Sequence, residues 1–78
     1  MRRSWVDSTT IASMGYDSRK RELEIEFRES GDVYRYFNVP ATEYQAFLAA
    51  ESKGTYLNQI FKPREYCYRM VSKGRGHA

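Results

Sequence analysis

The chain has 78 residues and carries 13 Lys and Arg against 10 Asp and Glu, a formal charge of +3. One domain is the limit at that length, since so small a fold buries only about 60% of the surface its unfolded chain exposes and rarely keeps more than ~3–5 kcal/mol of stability. A deep enzyme cleft is therefore not expected. Cys67, the single cysteine, excludes an internal disulfide, and Met1 to Asp7 holds no apolar run long enough for a signal peptide or a membrane span. A reducing, cytoplasmic setting without membrane association is the expectation. With 41% hydrophobic and 29% charged residues the composition is that of a globular domain, and seven of its residues are tyrosine.

In chain order, residues 1–7 read as an N-terminal extension, with Trp5 either packed on a sheet edge or free for another protein. Thr9 to Tyr16 is a short strand whose buried face stays open, because Ile11 and Met14 have opposite parity. Leu23, Ile25 and Phe27 alternate with Glu22, Glu24, Glu26 and Arg28, the period of a strand with one buried and one wet face. Glu29-Ser30-Gly31-Asp32 is turn chemistry, and Val33 to Val39 returns as the second strand of a hairpin. The preferred register sets Arg28 opposite Val33, so that Phe27 faces Tyr34, Ile25 faces Tyr36 and Glu26 lies across from Arg35. A slip of one residue would bury Val33, Arg35 and Phe37 instead.

After Pro40 the spacing turns helical, with Tyr44, Phe47 and Leu48 on one face. Gly54 is a plausible end for this helix, and Ser52 or Thr55 a plausible cap for a second, in which Tyr56, Leu57, Ile60 and Phe61 are the apolar face until Pro63 stops it. Tyr66 to Val71 reads as a closing strand. The fold class is α+β, a small single-layer, mainly antiparallel sheet in the order β-β-β-α-α-β with two short helices on one face. Residues 8–71 form the domain, and 72–78 a flexible basic tail.

Charge divides along the chain. Residues 1–52 hold seven basic and nine acidic side chains, whereas 53–78 hold Lys53, Lys62, Arg64, Arg69, Lys73 and Arg75 against Glu65 alone. Such a block attracts polyanions if the fold gathers it on one continuous exterior region, and it is equally what a soluble surface with a basic tail looks like. Tyr34 and Tyr36, and again Tyr66 and Tyr68, are same-face pairs that suit either base stacking or core packing. Ser52-Lys53-Gly54-Thr55 combines hydroxyls and a cation at a helix start, as an anion site or as simple capping. It is not a nucleotide-hydrolysing phosphate loop, because its Lys precedes the Gly. No catalytic residues are expected: His77 is the only histidine, Cys67 the only thiol, and Glu22, Glu24 and Glu26 have the plain meaning of a wet strand face. No metal site and no cofactor follow from this inventory.

Gly15-Tyr16-Asp17, the run Val33 to Pro40, the segment Ser52 to Asn58 and the closing Tyr66-Cys67-Tyr68-Arg69 together resemble the KTSC domain, over about residues 8 to 71. That family takes its name from the C-terminus of some lysyl-tRNA synthetases and also occurs as free-standing bacterial or phage proteins. The resemblance implies the fold, and for function it implies RNA binding, to tRNA or single-stranded RNA. The residues to carry it are Lys53, Lys62, Arg64, Arg69 and Arg35, with or without stacking on Tyr34, Tyr36, Tyr66 and Tyr68. The alternative is a protein partner, or self-association, through a sheet edge or an aromatic patch.

Overall fold

The computed structural model describes residues 3–74. Five antiparallel strands lie side by side in chain order: β1 (Ser4–Trp5), β2 (Ile11–Asp17), β3 (Glu22–Phe27), β4 (Val33–Tyr36) and β5 (Tyr68–Ser72). Between β4 and β5 come α1 (Ala41–Ala49) and α2 (Lys53–Tyr56). The latter continues through a π-helical stretch, Leu57–Phe61, into a 3-10 turn, Lys62–Arg64. The α+β architecture is as expected, with one strand more: β1 lies inside the segment read as an extension, and Trp5 pairs with Ser13. Of the expected tail, Ser72 belongs to β5 and Gly74 donates its N–H to Asp32 Oδ1 at 2.7 Å, while 75–78 lie outside the described residues. The closing strand starts at Tyr68 rather than Tyr66.

The opposite parity of Ile11 and Met14 is resolved by a bulge. Ile11 pairs with Phe27 but Ser13 pairs with Glu26, so Ala12 is an extra residue that reverses the alternation. Both Ile11 and Met14 thereby reach the core, with Leu23, Ile25, Tyr36, Val39, Phe47, Leu57 and Phe61. The hairpin register differs from expectation by two residues. Leu23 faces Tyr36, Ile25 faces Tyr34 and Glu24 faces Arg35. Phe27 N–H donates to Asp32 O at 2.9 Å, which closes the turn one residue earlier. A shift of two preserves every side chain's face, so Tyr34 and Tyr36 still point to the core side.

Both helical faces are narrower than their apolar spacing implies. Leu48 and Ile60 are exposed, because Phe47 alone of that α1 pair meets the core, and the wide π winding brings Phe61 beneath Leu57 and turns Ile60 outward. Ser52 Oγ accepts from Thr55 N–H at 3.2 Å and is the cap of α2. Gly54 does not end α1, which stops at Ala49. It sits in the first turn of α2, where a Cβ would lie 2.7 Å from Thr10 Oγ1.

The second sheet face is not wet at its centre. Glu24 is 5% exposed and joins two arginines: Arg3 Nη1 donates to Oε1 at 2.9 Å, and Arg35 Nε and Nη2 donate to Oε2 at 2.9 and 2.5 Å. Arg3 Nε also donates to Ser13 Oγ, which in turn donates to Glu26. Arg28 donates to the carbonyls of Ser8, Val6 and Ile11 and ties the chain entering β2 to the end of β3. Burial pushes the Glu24 carboxyl up, but hydrogen bonds from Arg35 and Arg3 outweigh it and hold it below the usual range.

A carboxylate depressed in the folded state contributes stability above its unfolded pKa of about 4.3 and loses that contribution as pH falls through the folded value. Glu24→Gln is therefore expected to cost roughly 1–3 kcal/mol at neutral pH, and much less near pH 3, by urea unfolding. An unchanged acid limb would contradict this role for Glu24.

Candidate functional site

The helical layer covers only part of the sheet. Beside the β3–β4 turn it leaves a groove of about 880 Å³, lined by Phe27, Tyr34, Tyr36 and Tyr68 from the strands and Phe61, Lys62, Glu65 and Tyr66 from the helical segment. Thr9, Thr10, Glu29, Ser30 and Asp32 complete it. Its floor is a run of touching rings. Phe27 meets Tyr34 edge-on at 5.6 Å, Tyr34 and Tyr36 lie 5.5 and 5.4 Å from Tyr68, and Tyr36 meets Phe61 edge-on at 4.9 Å. Tyr36 is buried, Tyr34 and Tyr66 are half-buried, and Tyr68 is 58% exposed. The tyrosines therefore divide by exposure: Tyr36 is core, and Tyr68 is surface.

One buried carboxylate fixes the helical wall. Glu43 of α1, 5% exposed, accepts from the Tyr56 hydroxyl, from Tyr66 Oη at 2.9 Å and from Arg64 Nε at 2.6 Å. Burial pushes the Glu43 carboxyl up, but the hydrogen bonds from Tyr56, Tyr66 and Arg64 prevail and hold it below the usual range. Across the layer, Tyr16 stacks on Tyr44 at 5.0 Å and donates its hydroxyl to Val39 O at 2.5 Å, which pins the entrance of α1 to β2.

The five cations singled out in the sequence do not share one surface. Lys62 lines the groove with the tyrosines. Arg64 is held by Glu43, and Lys53 Nζ donates to Leu48 O and Ala50 O at 2.9 and 2.8 Å, completing the end of α1. Arg35 and Arg69 face each other across β4 and β5 on the opposite side of the sheet, and Arg35 is engaged by Glu24 and Glu22. Strand alternation sends Arg35 and Arg69 to one face and the tyrosines to the other, so these five cations are not gathered on one continuous region.

Sequence reasoning missed Glu43 and the acidic side of the groove. Glu43 stands four residues before Phe47, a carboxylate on the apolar face of a helix. Glu29 and Asp32 looked like turn residues only, and Glu65, in left-handed backbone at φ 59°, looked like a lone acid in a basic segment. Among the described residues no cluster of His, Cys, Asp or Glu suits a metal ion, and no helix is long and apolar enough to cross a membrane.

A family model described as the KTSC domain matches residues 7–69. The crystal structure of a KTSC domain protein from Yersinia pestis superposes with a TM-score of 0.84 at 39% identity, covering 91% of this chain and 97% of that one. An uncharacterized protein of Stutzerimonas stutzeri is 46% identical over 68 residues, 87% of this chain and 94% of its own length. A lysine–tRNA ligase of Nostoc punctiforme is 36% identical over 56 residues, which are 72% of this chain but 10% of the ligase.

Burial, followed by the neighbouring Tyr68 and Tyr34, pushes the Tyr36 hydroxyl up to about 12, and burial with the Glu43 hydrogen bond pushes Tyr66 up to about 12. Both folded values exceed the ordinary value of about 10, so this contribution to stability is complete below pH 10 and is lost as pH rises from there toward 12. Phenolate absorbance should therefore show a late fraction that coincides with alkaline unfolding, and Tyr36→Phe should reduce it. Ionisation of every tyrosine near pH 10 in a folded chain would contradict the packing described.

Proposed function

The chain belongs to the KTSC domain family, and from that premise we propose that it is a non-catalytic docking module that receives a partner polypeptide in its aromatic groove. The observation that carries this reading is the placement of Tyr68, 58% exposed, beside half-buried Tyr34 on a floor of touching rings. Tyrosines at the centre of a rigid concavity supply large contact area at little entropic cost, and such positions dominate interface energetics. The floor rests on paired strands and the wall on the Glu43 hydrogen bonds, so the shape precedes the partner.

RNA binding is the second reading, favoured by the likeness to a segment of lysine–tRNA ligases. On that reading Lys53, Lys62, Arg64, Arg69 and Arg35 would neutralise phosphates, in a cytoplasmic protein associated with tRNA. The charges count against it. Arg35 and Arg64 already bind carboxylates, Lys53 binds carbonyls, and Lys62 shares the groove with Glu29, Asp32 and Glu65.

Peptide display against the folded chain separates the two. The expected outcome is selected peptides that shift the backbone amides of Tyr34, Lys62 and Tyr68, and lose their affinity in Tyr68→Ala while the remaining spectrum stays native. A single-stranded oligoribonucleotide that binds instead, with log K falling by about 0.7 per log[salt] for each phosphate neutralised, would overturn the docking reading.

A further inference from the structure

The groove is aromatic on its floor and acidic at its rim, and the two features together select a ligand chemistry. Of the charged residues lining it, Glu29, Asp32 and Glu65 are carboxylates and Lys62 is the one cation. The ion pairs of the described residues use Glu22, Glu24 and Glu43 and none of these three. Asp32 spends Oδ1 on the Gly74 N–H, and its other oxygen takes no hydrogen bond from the described residues. Glu29 and Glu65 are exposed.

Tyrosine rings carry negative π faces, and a cation seated over them is attracted by the ring quadrupole, more strongly where water is partly excluded. Tyr34 and Tyr68 stand 5.5 Å apart with their planes tilted by 37°, and Phe27 presents an edge to Tyr34. Carboxylates around such a floor add Coulombic attraction for the same cation and repel a phosphate chain.

We propose that the groove recognises the cationic side chain, arginine or lysine, of an extended partner segment, seated over Tyr34 and Tyr68 and balanced by Glu29, Asp32 and Glu65. The proposal rests on the docking reading and deepens it by naming the chemistry of the partner. Arginine should bind better than lysine, because its planar guanidinium stacks on a ring face while its N–H groups reach the rim. Lys62, on the helical wall, is the one lining cation and opposes such a guest less than the three carboxylates attract it.

Four capped pentapeptides test this, alike except for a central arginine, lysine, norleucine or glutamate, titrated into the full chain and followed by backbone-amide NMR. The expected result is that the arginine and lysine peptides shift the amides of Tyr34, Tyr68 and Glu29, and bind about tenfold tighter than norleucine, in the range a cation over aromatic rings supplies. Glu29→Gln and Glu65→Gln, both exposed sites that leave the fold intact, should each weaken the arginine peptide about threefold and leave norleucine unchanged. Tyr68→Ala should abolish the preference. Equal binding of norleucine and arginine overturns the cation assignment while the docking reading stands. If no peptide moves these amides and an oligoribonucleotide does, both fall. If neither ligand moves them, the cation assignment is likewise overturned.

Discussion

A single buried carboxylate ties the helical elements to one another and to the approach of β5. Glu43 reaches from α1 to Tyr56 on α2, to Arg64 at the end of the same helical run and to Tyr66 on the strand approach. Such a charge out of water is costly unless its lone pairs are filled, and here three donors fill them. The arrangement determines what lies above it. Phe61, in the core, meets Tyr36, Phe47 and Tyr66, and Tyr66 carries the chain into β5 beside the exposed ring of Tyr68. The groove lies between these elements and the β3–β4 hairpin.

Glu24 has a matching role on the other face. Strand pairing brings Arg35 opposite it, and the segment before β1 brings Arg3 from the other side, so β1, β3 and β4 are bridged by one side chain. The consequence for function is direct. Arg35 and Arg64, counted with the basic residues in the linear sequence, are committed to carboxylates within the fold, Arg69 lies on the sheet face away from the tyrosines, and the groove that remains open is rimmed by acids.

Much of the architecture was legible from alternation alone. Leu23, Ile25 and Phe27 declared one face of β3, and the same rule sent Tyr34 and Tyr36 inward. The two-residue error in register was invisible to that rule, because Arg35 finds a glutamate opposite whether the partner is Glu24 or Glu26. The face of β2 depended on a bulge at Ala12, and no residue there announces one. Strand β1 is two residues long and has no period to read. The candidate site was half legible: the tyrosines stood out by spacing, but the cations were grouped by position in the chain, and only the pleat decides which side chains share a face. Glu43 escaped because its partners Tyr56, Arg64 and Tyr66 lie 13 to 23 residues away.

The central claim is that Glu43 organises the wall of the groove, and native-state hydrogen exchange on Glu43→Gln tests it most directly. Protection of the amides of Leu57, Phe61 and Tyr68 should fall together, although the first two sit on the helical run and Tyr68 on β5, while Ile25 at the sheet centre stays protected. Loss confined to the α1 turn around residue 43, or no loss at all, would contradict the account.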